Sequence, residues 1–120
     1  MSAKRVLLVD DAKASRMIVG KVDKKLGHEV IGEAVDGQDG FEKFKELRPD
    51  IVLSDIEMPI LDGYGSLKLI KEEDPDAVVV MVTSVVNAQF IQKIMALGAL
   101  DAVKKPINEA KLQKIFDQLD

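Results

Sequence analysis

The chain has 120 residues, 47% of them hydrophobic and 32% charged, which is the size and balance of one ordinary globular domain. A net charge of −4 argues against a nucleic-acid or anionic-membrane surface, and the lack of cysteine excludes disulfides and thiolate metal sites, as suits the cytoplasm. The most apolar stretch, Ala77–Val82, is far too short to span a bilayer, and MSAKRVLLV turns polar at Asp10 without a secretory cleavage pattern.

In chain order, a strand-like run Arg5–Val9 precedes Ile18, Val22 and Leu26, whose spacing of four predicts one apolar stripe of a helix ended by Gly27. Glu29–Val35 reads as the second strand, and Phe41 and Phe44 mark a helix with Asp36 as its N-cap. The third strand, Asp50–Ser54, runs into LSDIEMPILDGYG, where Asp62 opens a helix carrying Leu67 and Ile70. Ala77–Val82 and Leu100–Lys104 are the last strands. Phe90, Ile91, Ile94 and Met95 mark the fourth helix; Leu112, Ile115 and Leu119, behind an Asn108 cap, mark the fifth. Met58–Pro59 and Gly63–Tyr64–Gly65 read as turn chemistry, and His28, the one histidine, as a solvated loop residue.

No repeat or linker interrupts this alternation, so residues 1–120 read as a single (βα)₅ domain. The expected architecture is α/β: a flavodoxin-like, doubly wound parallel sheet in the order 2-1-3-4-5, covered on both faces. Ligands in such sheets bind beyond the carboxyl ends of the strands, where the strand order reverses. Those ends carry Asp10 and Asp11, Asp55, Thr83 and Ser84, and Lys104, Lys105 and Pro106. Asp36, on the edge strand, is explained by capping alone. Taken singly, Asp10–Asp11 could cap a helix, Thr83 could end a strand and Lys105–Pro106 could be a surface turn. Asp55 is harder to dismiss, because a charge directly behind an Ile-Val-Leu run needs a partner.

Together these residues form one chemical set. Clustered carboxylates without nitrogen or sulfur donors suit a hard cation, Mg²⁺ above all. A lysine and a hydroxyl opposite them can hold phosphoryl oxygens, and an aspartate can attack phosphorus to form an acyl phosphate. Asp55 is the candidate nucleophile. Crowding of three carboxylates further predicts that replacing Asp10 by asparagine should stabilise the metal-free protein by about 1 kcal/mol.

With VLLVDD, IVLSDIEMP followed by DGYG, VVMVTS and GALDAVKKP, essentially the whole chain resembles the CheY-like receiver domain of two-component response regulators. The resemblance implies that Asp55 accepts a phosphoryl group from the phosphohistidine of a histidine kinase or phosphotransfer protein. It implies that Asp11, Asp55 and the backbone carbonyl of Glu57 bind Mg²⁺, with Asp10 acting through water. It implies that Lys105, not Lys104, contacts the phosphoryl oxygens before a cis bond to Pro106, and that Thr83 starts the switch. Such proteins catalyse their own phosphotransfer and autodephosphorylation rather than acting as conventional enzymes. Their output is a protein partner bound through the face of helix 4, strand 5 and helix 5, with neither direct nucleic-acid contact nor membrane insertion.

Two positions depart from the pattern. Receivers commonly carry Tyr or Phe three residues before the lysine, and here Ala102 stands there. Ser84 and Val85 follow the threonine where alanine is usual, so Val85 and Glu57 would flank the path of the hydrolytic water. Ala102 leads us to expect signalling by small backbone shifts around the fourth helix, fifth strand and fifth helix.

Three other classes fit less well. Neither GxxxxGK[ST] nor GxGxxG follows the first strand, which argues against a nucleotide-binding enzyme. A flavin phosphate would meet repulsion from Asp10–Asp11. A haloacid-dehalogenase-type phosphatase would need DxD there. A degenerate receiver, binding partners without phosphorylation, is the alternative within the family. The chain is expected to be a stand-alone regulator rather than a piece of a longer one.

Overall fold

A computed structural model describes residues 2–119, so Met1 and Asp120 of the expected domain lie outside the description. Five strands alternate with five helices: β1 (Arg5–Val9), α1 (Lys13–Lys25), β2 (Glu29–Ala34), α2 (Gly37–Leu47), β3 (Ile51–Ser54), α3 (Gly63–Glu73), β4 (Val79–Thr83), α4 (Ala88–Ala96), β5 (Asp101–Lys104) and α5 (Glu109–Asp117). The strands form one parallel sheet in the order β2-β1-β3-β4-β5, as the alternating pattern predicts. The first strand has the expected bounds, and the ends of the others differ from the expected ones by at most two residues.

The strands are apolar throughout because each sends alternate side chains into one of two cores. Leu7, Val9, Val52, Val79 and Met81 point to the layer of α2, α3 and α4, where Phe44, Leu67, Ile70, Phe90 and Ile94 meet them. Val6, Leu8, Ile51, Leu53, Val80 and Val82 point to the opposite layer, against Val19 of α1 and Leu112, Ile115 and Phe116 of α5.

Helix starts follow local chemistry. The side chains of Asp36, Asp62, Asn87 and Asn108 each accept an N–H from three residues on, at 2.7–3.0 Å, and so cap α2, α3, α4 and α5. Beyond α1, Gly27 turns the chain at φ +91°, in the left-handed region that favours glycine.

Two expectations for this part of the chain need correction. Helix α1 buries only part of the stripe expected through Ile18: that residue is 59% exposed, Val22 and Leu26 pack partly buried against the core, and the fully buried positions are Val19, Gly20 and Asp23. His28 is not a solvated loop residue. It is buried, its ring stacks on Phe116 at a centroid distance of 3.8 Å, and its Nδ1 accepts the Lys4 N–H at 2.9 Å. A helical stripe one residue off is sterically equivalent in sequence, and only the approach of α1 to the sheet selects between them. Among the described residues no helix is long and apolar enough to cross a membrane.

Candidate functional site

The site lies where β1, β3, β4 and β5 end side by side. Parallel pairing brings those ends together: the Asp55 N–H donates to the Val9 carbonyl at 2.9 Å, and the Lys105 N–H to the Thr83 carbonyl at 2.8 Å. Asp10 and Asp55 thus stand at adjacent strand ends, and Thr83 and Lys105 at the next two. Helix α3 closes in from the side. Gly63 at its start donates to the Ile56 carbonyl at 2.7 Å, and a Cβ there would overlap the Asp55 carbonyl oxygen. Only glycine permits that approach.

Carboxylate oxygens of Asp10, Asp11 and Asp55 all lie within 4.8 Å of one another. Lys105 reaches them from β5: its Nζ donates to Asp10 Oδ2 at 2.8 Å and to Asp55 Oδ2 at 3.1 Å. The other Asp55 oxygen accepts the Ile56 N–H at 2.7 Å. Burial alone would raise the pKa of Asp10, but hydrogen bonds from Lys105, Ser15 and the Ala12 N–H outweigh it and hold the carboxyl below its ordinary value. Burial dominates at Asp55, and the neighbouring Asp10 charge adds to it, so Asp55 sits above its ordinary value despite Ile56 and Lys105. At Lys105 burial acts to lower the pKa, but the two carboxylates more than offset it and raise it.

This removes the motive for the Asp10 expectation. The Asp10 charge is already matched by an ammonium 2.8 Å away, so neutralising it would remove the nearer of the two carboxylate partners of Lys105.

Above the carboxylates lies an open groove of about 1110 Å³ between the β3–α3 loop and the start of α4. Asp11, Asp55, Glu57, Thr83 and Lys105 line one end; Tyr64, Phe90 and Lys93 line the other. Asp10 is buried just beneath. Thr83 Oγ1 accepts the Val85 N–H at 3.4 Å, a long bond that a better acceptor arrangement could replace. Tyr64 and Phe90 have ring centroids 6.3 Å apart, and Lys93 Nζ sits 3.7 Å from the Tyr64 centroid. The peptide bond between Lys105 and Pro106 is cis.

The structure brings Asp10, Asp11, Asp55, Glu57, Thr83, Ser84, Val85 and Lys105 to this place, whereas Asp36, buried as the α2 cap, and exposed Lys104 stay outside it. Ala102 is buried in the same core layer as Phe90 and Ile94. Two residues that bind Asp10, Ser15 and Arg16, escaped sequence reasoning. Arg16, in the second turn of α1, binds the main chain of Asp10, yet a lone arginine on a helix carries no signal that separates it from a solvated one.

The oxygen-only donor set fits Mg²⁺, which favours carboxylates and retained water over nitrogen or sulfur. Lys105 bonds two of the three carboxylates, and all three come close enough together to share such an ion.

Residues 6–117 match the model of the response regulator receiver domain. The chain belongs to that family. The receiver is 36% identical to the chemotaxis protein CheY of Thermotoga maritima over 116 residues, covering 97% of each chain. It is 39% identical to CheY of Bacillus subtilis, again over 97% of each. Among solved structures, a chain from the CheX–CheY–BeF3–Mg²⁺ complex of Borrelia burgdorferi superposes with a TM-score of 0.91 at 31% identity, covering 97% of this receiver and 89% of that chain. These likenesses make it a receiver of the CheY type, and receivers bind Mg²⁺ at an acidic pocket such as this one.

Proposed function

We propose that this receiver, a single domain over residues 1–120, takes a phosphoryl group from a histidine kinase or phosphotransfer protein onto Asp55 and thereby switches a protein-binding surface. One observation carries the reading: three carboxylates within 4.8 Å of one another, two of them bridged by the single ammonium of Lys105, in a chain of the CheY type. Asp55 Oδ attacks the phosphorus of a phosphohistidine. The P–N bond breaks as the new P–O bond forms, and the electron pair leaves with the imidazole. Asp11, Asp55 and the Glu57 carbonyl would hold Mg²⁺, with Asp10 acting through water, and the charge that the ion would supply there is neutralisation of phosphoryl oxygens.

Lys105 would move its contact to a phosphoryl oxygen, and its raised pKa keeps it charged for that task. Water attack on the acyl phosphate, past Glu57 and Val85, returns Asp55 to its free form. Thr83 would turn its hydroxyl to donate to a phosphoryl oxygen, drawing the β4–α4 loop inward. Asn87, in that loop, caps the N–H of Phe90 at 2.9 Å, so the first turn of α4 follows. Ala102 has no rotamer to swing; the aromatic side chains lying along the groove are Tyr64 on α3 and Phe90 on α4 itself. The face of α4, β5 and α5 would then meet its target, and exposed Met95 and Leu100 supply apolar contact there. The chemotaxis relatives favour a cytoplasmic role in chemotaxis.

Intact mass after incubation with acetyl phosphate and Mg²⁺, beside an Asp55→Asn control, tests the reading. One added phosphoryl group on the parent and none on the control is expected. No adduct, with no binding of Mg²⁺ or beryllofluoride, would refute it and leave a module that binds partners without phosphorylation. Tyr64 is the sole tyrosine in a chain without tryptophan, so its emission should change on beryllofluoride binding if α4 moves. Adduct formation with unchanged emission would remove α4 from the switch.

A further inference from the structure

We propose that Arg16 is a positioning residue for the Mg²⁺ site, fixing the peptide from which Asp10 and Asp11 project; the inference rests on the receiver chemistry proposed above. Arg16 leaves the second turn of α1 and turns under the end of β1, with its side chain only 12% exposed. Its Nη1 donates to the carbonyl oxygen of Asp10 at 2.7 Å, and its Nε to Glu33 Oε1 on β2 at 2.9 Å. That carbonyl belongs to the peptide unit joining Asp10 to Asp11. The bond therefore sets the plane on which two neighbouring acidic residues are hung, one beneath the groove and one lining it.

Every other polar group of Asp10 is already committed. Its N–H donates to the Ala34 carbonyl at 3.0 Å, and its carboxylate accepts the Ala12 N–H at 2.9 Å and Lys105 Nζ at 2.8 Å. The carbonyl is the group that lies past the last sheet pairing of β1, which ends at Val9. A side chain, not a strand, holds it. Arg16 also borders a small cavity of about 10 Å³ together with Asp10 and Asp55.

Arginine is suited to this because its planar fork donates in two fixed directions at once. A lysine ammonium could reach Glu33 or the carbonyl but would not orient one against the other. Glu33 is half exposed, so the ion pair itself adds little to stability and serves mainly to aim the fork. Groups that orient metal ligands without touching the metal typically change affinity by about 10–100-fold when replaced.

The test is Mg²⁺ titration of the full chain followed by Tyr64 emission and calorimetry, for the parent, Arg16→Lys and Glu33→Gln. Urea melts without metal would run in parallel. Arg16→Lys should bind Mg²⁺ about 10-fold more weakly, and Glu33→Gln should shift in the same direction by less. Their metal-free urea midpoints should stay near that of the parent, and the Asp11 amide resonance should move in Arg16→Lys before any metal is added. A general structural role would instead lower the urea midpoint and leave the affinity of the folded fraction unchanged; that result overturns the proposal. Parent-like Mg²⁺ affinity in both variants overturns it as well, with the receiver chemistry intact. Failure of the parent itself to bind Mg²⁺ overturns both.

Discussion

Asp23 gives the sharpest test of the energetics. It sits on the inward face of α1, one turn beyond Val19, and is 0% exposed. Among the described residues neither carboxylate oxygen has a hydrogen-bond partner. Burial alone pushes its pKa from 3.8 up to about 7. The unfolded chain ionises this group near 3.8 and the folded chain near 7, so between those values the folded state binds more protons. Stability is therefore full below the lower value, falls as pH rises between the two, and stays low above. At 1.36 kcal/mol per tenfold change in proton affinity, the cost above pH 7 is about 4 kcal/mol, of which about 3 kcal/mol develops between pH 5 and 8.5. Asp23→Leu removes the titration, and Asp23→Asn removes it while keeping the shape. Urea melts of all three proteins across that range isolate the effect, because other titrating groups cancel in the difference from the parent. The stability of each variant relative to the parent should rise by about 3 kcal/mol from pH 5 to 8.5. A difference that stays flat with pH would refute the reasoning and mean that the carboxylate finds compensation once ionised.

Two further outcomes are expected. Asp10→Asn should lower the metal-free stability at pH 7 by about 1 kcal/mol in urea melts, since Lys105, Ser15 and the Ala12 N–H all favour the charged carboxylate. The loss should shrink as acid protonates the parent, and an unchanged or higher midpoint at pH 7 would show that carboxylate repulsion dominates after all. Ile60→Gly should raise stability by about 0.5–1 kcal/mol in thermal melts: Ile60 stands at φ +70° in the loop before α3 and is 84% exposed, so glycine relieves the left-handed conformation and gives up almost no packing. A lower midpoint would mean that the Ile60 side chain makes a contact that stabilises the loop.

What could be read from the sequence, and what could not, follows from how far apart in the chain the deciding contacts lie. A parallel sheet sends all its strand ends to one edge. Recognising alternating strands and helices was therefore enough to gather Asp10, Asp11, Asp55, Thr83 and Lys105, although Asp10 and Lys105 are 95 positions apart. Caps were equally legible, because Asp36, Asp62 and Asn108 act within three residues. Helix α1 shows the limit. Its sequence offers both the Ile18 and the Val19 stripes, and the second includes an aspartate, which no rule of burial would choose. Packing against β1 and β2 chose it, and with it the placement of Arg16 under Asp10. The reversed expectation for Asp10→Asn has the same origin. Counting the carboxylates at the strand ends gives repulsion, but the sign of the local field depends on whether Lys105 Nζ lies 2.8 Å away or points to solvent. At such a separation one ammonium outweighs a more distant carboxylate. Residue types at strand ends can therefore name the chemistry of this pocket, while its charge balance is decided by a single long side chain arriving from β5.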